Sequence, residues 1–472
     1  MSQSLPQRVS PAALRLWLKE RVYDSRALRY TYSSWTDLQS GMALLRNHPY
    51  EAAGSILRGW RLLGENGIGK QRSRLLMKLI HENCFRNGAL GPAAENRFLQ
   101  EFIASPVARN LRSIYAALPR EHCVRLRLPN DDDPERQGDL IILKPFDKAT
   151  GERGVIMLMY SESILAAAAL FDITALASRY MFVLEPSWWG YQDARFLLYL
   201  GSDLDVLVQS PRVGDFDFIA SLQTNLVPTR VGAGEWGDPN VFRPRPPNKE
   251  AAFDAVMVSA WDPLKRHEVF FQAAAQFKQK RRRALRFALI GYDLGWKRET
   301  IEHLLRQYGL ESDCSIYENI RHAEVAEIVA DSKMSLLLSR REGANRAIYE
   351  SMFCNTPIIV YRHQCGVNLD HVNDRTGLLA NDAELTEAIC YVLDHCDQFD
   401  PRAWANENAG YDNSTRQINE ALSEIATRRR LPWTRGMVAK KSAPNLRYAI
   451  PGLYKEFESE YERLGEYLLA ID

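Results

Sequence analysis

The stretch Met334-Ser335-Leu336-Leu337-Leu338-Ser339-Arg340-Arg341-Glu342-Gly343-Ala344-Asn345-Arg346-Ala347-Ile348-Tyr349-Glu350 decides the fold. Residues 334–338 form a short apolar run, which predicts a buried strand. A charged turn follows, and residues 346–354 then show helical apolar spacing. Pro357 opens the next apolar run, 357–361. Strand, turn, helix and strand in that order predict a βαβ unit of a parallel sheet. Glu342 falls in the strand-to-helix loop, and Glu350 is expected about one and a half turns into the helix. Backbone N–H groups of Gly343, Ala344 and Asn345 are expected at the helix N-terminus, an anion site that glycine lets a ligand approach closely. Carboxylates beside such a site suit a ligand carrying both hydroxyls and phosphates, such as a nucleotide-sugar. Asn345 and Arg346 read equally well as a helix cap.

The same alternation runs outward. Strands are predicted at 255–259, 287–291 and 314–317, with helices at 267–280, 298–308, 323–330 and 382–394. This is a doubly wound domain, in which ligands sit at the carboxyl ends of the strands. The turn after its first strand reads Trp261-Asp262-Pro263-Leu264-Lys265-Arg266-His267. Its adjacent cations, a point charge and a planar fork, suit a diphosphate. Upstream of the Pro-rich stretch 243–247 lies a second alternating region. Its strands are expected at 139–144, 154–160, 180–184, 205–209 and 227–231, and its helices at 163–177, 193–200 and 216–222. Residues 1 to about 118 read as helical, as does most of the tail beyond 402. The expected domains are a helical extension (1–137), a Rossmann-like domain (138–247), a second Rossmann-like domain (248–425) and a helical tail (426–472) that packs back on the N-terminal side.

These residues resemble the retaining glycosyltransferases of GT-B fold, in the large family 4. The resemblance covers residues 254–380 and rests on Glu342 and Glu350, Lys265 and Arg266, a strand ending in Gly291, and Thr376-Gly377-Leu378-Leu379. It implies two Rossmann-like domains facing a cleft, the first (138–247) on the acceptor side and the second (248–425) binding the nucleotide-sugar. It also implies that Glu350 binds the ribose hydroxyls of the donor and Glu342 the hydroxyls of its sugar. Lys265 and Arg266 would neutralise the diphosphate, helped by the N–H groups of Gly343, Ala344 and Asn345. The backbone near Ile320 would face the base. No metal or other cofactor is implied, because cations and a helix end stabilise the leaving charge. Two positions depart from the family. Ala260 stands where an arginine is usual, which leaves Arg266 to supply that charge. Tyr160-Ser161-Glu162-Ser163 replaces a glycine pair near the acceptor.

The chain has 472 residues, 60 Lys+Arg against 59 Asp+Glu and 46% hydrophobic residues, which excludes a disordered chain and a global field for nucleic acid. Seven cysteines without a C-x-x-C pair, and no signal-like N-terminus, suggest a reduced, cytoplasmic protein. Residues 64–71 nearly match a P-loop, but Gln71 stands where a Mg²⁺-binding Ser or Thr is needed, and a helix–turn–helix connection is the better reading. Three Asp-x-Asp pairs read as caps and turns. Glu185, Trp188 and Tyr191, at an N-domain strand end, are acceptor-side candidates or a packed aromatic corner. The basic runs 278–286 and 428–441 read either as solvated helix ends or as peripheral contact with anionic lipid.

The resulting expectation is a retaining enzyme that moves a sugar from a nucleotide-diphosphate donor to a saccharide or lipid-linked saccharide, in cell-envelope or exopolysaccharide biosynthesis. The alternatives are a nucleotide-sugar epimerase of the same fold and a non-catalytic sugar-nucleotide-binding subunit.

Overall fold

A computed structural model describes residues 22, 25–63, 68–127, 133, 135–186, 191–343, 345–442 and 445–470. Two compact units emerge. One holds Arg26–Trp236 together with Ser414–Asp472, and the other holds Gly237–Asn413.

The sheet of the first unit contains β1 (Leu140–Lys144), β2 (Gly154–Met159), β3 (Tyr180–Glu185), β4 (Val206–Gln209) and β5 (Leu226–Thr229), in spatial order 1-2-3-4-5. Strands β2 to β5 are parallel, as the alternation predicts. β1 runs antiparallel to β2, because the short link between them has no room for a crossover helix. Every residue of β1 to β4 is buried, which their unbroken apolar runs require of a sheet covered on both faces. The expected helix at 163–177 is split into Ser161–Leu170 and Ile173–Leu176. Asp172 breaks it by accepting a bond from Ala175 N–H and so capping the second piece. The predicted helix at 193–200 is a 3₁₀ helix, Ala194–Tyr199.

The N-terminal helices belong to this unit. Arg26–Leu45, Pro49–Leu63 and Ile68–Cys84 precede Arg97–Ala104, which opens at a doubly used asparagine. Asn96 Oδ1 accepts from the amides of Phe98 and Leu99, while its Nδ2 donates to Leu197 and Leu200 carbonyls beside the sheet. The P-loop-like turn at 64–67 and the helix expected near the start of the chain lie outside the described residues.

The tail completes the edge of this sheet. Val438 N–H bonds to Leu143 O, Tyr448 Oη donates to Ile142 O at 2.8 Å, and Ile142 N–H donates to Tyr461 Oη at 3.0 Å. These bonds cap edge-strand groups that would otherwise offer a pairing template. Two buried lysines fasten the attachment. Lys144 Nζ lies 2.5 Å from Glu152 and 3.5 Å from the Trp433 ring centre. Lys440, fully buried, lies 3.1 Å from Glu185 and 4.1 Å from the Trp236 ring centre.

The second unit contains β6 (Ala255–Val258), β7 (Phe287–Gly291), β8 (Cys314–Glu318), β9 (Ser335–Leu337), β10 (Ile358–Tyr361) and β11 (Gly377–Ala380). All are parallel, in spatial order β8-β7-β6-β9-β10-β11. That is the doubly wound order 3-2-1-4-5-6, whose winding direction reverses between β6 and β9. Met257, Leu289, Leu336 and Ile359 face one apolar layer, and Val256, Ala288, Ile290, Leu337 and Val360 face the other. β11 is four residues long, in a segment where the sequence predicts only a loop.

Replacing one member of a buried ion pair strands the other charge, at a cost of about 3–5 kcal/mol. Lys440→Met is therefore expected to destabilise the first unit by roughly that amount, and Lys440→Met with Glu185→Leu to recover much of it. Urea unfolding followed by tryptophan fluorescence checks both.

Candidate functional site

The reversal between β6 and β9 brings two loops together. After β6, Asp262 accepts Leu264 N–H at 2.7 Å and forms the 3₁₀ turn Pro263–Lys265. After β9, Ser339 leads to Glu342. Lys265 Nζ lies 2.7 and 2.8 Å from the two carboxylate oxygens of Glu342, and Ser339 Oγ donates to Oε1 at 2.5 Å. Glu342 is nearly buried, whereas the Lys265 side chain keeps 21% of its surface exposed, so the cation remains reachable from solvent. Burial and the neighbouring Glu342 push the Asp262 carboxyl above the usual range, against the opposing pull of Leu264 N–H and Lys265.

The backbone of Glu342 is held from the loop after β10. Glu342 N–H bonds to Cys365 O at 2.7 Å, and Cys365 N–H bonds to Arg340 O at 2.8 Å. Gly366, at φ +115°, follows; a Cβ there would fall 1.8 Å from Glu342 O. Ser339 and Gly366 had no assigned role in the sequence reading. Ser339 stands inside the deciding stretch, and Gly366 follows a strand in a Cys-Gly pair, a signal too common to single out.

The second glutamate sits at the mouth of the same sheet. Glu350 lies in the first turn of Ala347–Phe353, earlier in its helix than the spacing suggests, because the helix starts at Ala347. Its Oε1 is 3.1 Å from His322 Nε2, at the start of the helix after β8. Asn345 Oδ1 accepts Ile348 N–H at 3.3 Å, so Asn345 caps this helix. Gly343 is partly buried in the turn, and Ala344 lies outside the described residues. Ile320 follows β8 and packs partly buried against the apolar layer. Gly291 has a packing reason: a Cβ would meet Ser259 O at 2.3 Å and the Trp261 ring at 2.8 Å.

Several expectations are corrected. Arg266, expected beside Lys265 for a diphosphate, has partners of its own. It adopts φ +62°, and its guanidinium donates to Leu338 O, pairs with Asp382 and lies over the Tyr361 ring. Consecutive residues on either side of that left-handed turn send their charges to different partners. Glu185 is not an open carboxylate. It is buried against Lys440, and burial raises its carboxyl despite that cation. Tyr191 is buried and stacked on Phe196, and burial raises its phenol well above the ordinary value. Together Glu185 and Tyr191 form the packed corner rather than an acceptor surface; Trp188 lies outside the described residues. Four cations of the basic run near 280 are paired within their unit: Lys278 with Asp313, Lys280 with Glu387, Arg281 with Asp394 and Arg283 with Asp254. In the second run, Arg429 pairs with Asp205 and Lys440 is buried. Among the described residues no helix is long and apolar enough to cross a membrane, and no group of three or more His, Cys, Asp or Glu side chains could hold a metal ion.

Residues 240–404 match the family model of the glycosyl transferases group 1, so the enzyme class of this domain is that of a glycosyltransferase. Solved structures of similar fold include sucrose-phosphate synthase from Thermosynechococcus elongatus, 16% identical over 58% of this chain and 74% of that one, TM-score 0.46. Anabaena Alr3699/HepE in complex with UDP is 16% identical over 55% and 76%, TM-score 0.44. The lipopolysaccharide outer core galactosyltransferase WaaB is 15% identical over 57% and 75%, TM-score 0.42. No curated protein matches the chain. The described residues thus hold two α/β units, one with an all-parallel sheet and one with a mostly parallel sheet, and helices on the N-terminal side.

Two predictions follow from the packing around Glu342. Gly366→Ala should displace the loop that holds Glu342 and lower both donor binding and melting temperature, read by calorimetry and thermal denaturation. His267 is buried beside Trp261, and burial, with the nearby charge of Lys265, lowers its imidazole to about 3. The unfolded chain takes up a proton below about pH 6.5 that the folded chain refuses, so stability falls from there toward pH 3. At pH 5 the loss from this residue is about 2 kcal/mol. His267→Phe should flatten that part of the stability–pH curve.

Proposed function

We propose that this protein is a retaining glycosyltransferase that moves a sugar from a nucleoside-diphosphate sugar to a saccharide or lipid-linked saccharide, in the building of a cell-envelope or exported polysaccharide. The observation that carries this reading is the Lys265–Glu342–Ser339 cluster at the winding reversal of the second sheet. The ammonium neutralises the diphosphate, and the carboxylate accepts hydroxyl protons from the donor sugar. These two groups satisfy each other. An arriving diphosphate competes for Lys265, and release from the cation frees the oxygens of Glu342 for the sugar. Charge capture and sugar orientation are thereby coupled. Glu350 accepts bonds from the ribose hydroxyls.

The sugar–phosphate bond breaks as the acceptor oxygen attacks from the same face. The departing diphosphate, stabilised by Lys265, takes the acceptor proton. Exclusion of water limits hydrolysis.

One observation favours a second reading. Ala260 removes the arginine usual in the family, and Arg266 is engaged by Leu338 O and Asp382. A subunit that binds the donor without turning it over fits that loss of charge.

Isothermal titration with UDP-, GDP- and ADP-sugars, followed by product analysis with and without saccharide acceptors, tests both readings. Lys265→Ala should weaken donor binding at least tenfold. Glu342→Gln should slow transfer while leaving or tightening binding of the free nucleoside diphosphate, because it releases the lysine. Binding without product in any mixture establishes the second reading; a product formed without acceptor establishes an epimerase. Failure of every nucleotide sugar to bind removes the proposal.

A further inference from the structure

Among the described residues the Glu350 carboxylate meets no hydrogen-bond donor other than His322. The bond uses one carboxylate oxygen, Oε1, at 3.1 Å from Nε2. Both partners are held from behind. The His322 ring stands edge-on to Phe242, with centres 4.8 Å apart, and Phe242 is fully buried with its carbonyl bonded to Arg402. His322 begins the helix His322–Ala330, whose first turn is locked by Glu324 accepting Arg321 N–H. Glu350 is flanked by buried Tyr349 and Ser351.

A glutamate side chain turns about three single bonds, and a ligand must pay for fixing them. A histidine N–H on one oxygen removes most of that freedom before the ligand arrives. The other oxygen then presents its lone pairs in a set direction, and Oε1 retains one for sharing.

We propose that His322 is the positioning residue for Glu350. Its Nε2–H aims the carboxylate at the vicinal hydroxyls of the donor's ribose, so that the site selects ribonucleotides over 2′-deoxyribonucleotides. This rests on the reading of the site as a nucleoside-diphosphate-sugar site. A carboxylate oxygen only accepts, so His322 donates through Nε2–H, and it need not touch the ligand.

The side-chain amide of glutamine reaches about as far as Nε2 and also donates, so His322→Gln preserves the contact. His322→Leu removes it while keeping apolar bulk against Phe242. The experiment is isothermal titration of wild type, His322→Leu, His322→Gln and Glu350→Gln with UDP, GDP and ADP and with their 2′-deoxy counterparts, alongside melting temperatures and, for the sugar donor, KM and kcat. The wild type should prefer the ribonucleotide it binds. His322→Leu should weaken that nucleotide about tenfold, as loss of a bond to a charged group does, and its deoxy counterpart less than twofold. The ratio then approaches that of Glu350→Gln, His322→Gln stays near wild type, and KM rises while kcat holds. Equal discrimination in wild type and His322→Leu overturns the inference and leaves the site reading standing. Equal weakening of both nucleotides with a lower melting temperature also overturns it, since that is a purely structural role. A wild type that binds none of the diphosphates overturns the site reading and this inference together.

Discussion

The candidate site depends on an ion pair that forms because a parallel sheet changes its winding direction. Lys265 and Glu342 are 77 residues apart in sequence and meet at 2.7 Å. They meet because β6 and β9 are neighbours while their following loops leave toward opposite faces of the sheet. The gap left at that divergence is where two short loops can present side chains to a common ligand. Much else in the second unit serves this meeting. Asp262 shapes one loop, Ser339 holds the carboxylate, and the strip through Cys365 and Gly366 fixes the backbone beneath it.

An ion pair of this kind is balanced rather than maximally stable. Its cation is partly exposed, and solvent screening limits what the contact contributes to folding. It can therefore be exchanged. The contrast with the first unit is instructive, because there Lys144 and Lys440 are buried with their carboxylates and beneath tryptophan rings. Such charges are fixed in place: displacing either partner leaves the other without solvent or counter-ion. The same pair of residue types thus holds a fold together in one unit and remains open to competition in the other.

The alternation of apolar runs with helical spacing made both sheets legible in the sequence, and Glu342, Lys265 and Glu350 stood out by their places after strands. What was not legible is what depends on tertiary partners. Arg266 looked equivalent to Lys265, yet one left-handed residue sends its guanidinium to Asp382. Glu185 read either as an acceptor-side carboxylate or as part of a packed corner, because nothing local reveals that Lys440, 255 residues later, covers it. His322 had no reading of its own, since its helix was expected to begin one residue later and its bond to Glu350 joins two helices across 28 residues of sequence. β11 was too short to show a period, and Asp172 ended a helix that apolar spacing alone would have continued.

The tyrosines that cap Ile142 come from the far end of the chain. The first unit is thus assembled from two separated stretches, whereas all six strands of the second sheet lie within Gly237–Asn413. During synthesis the second sheet can form as soon as residues 255–380 have emerged. The earlier sheet, though made first, waits with an uncapped border until residues 438–461 have emerged. Order of birth and order of completion are reversed between the two halves, and the interval is when that border is open to mispairing.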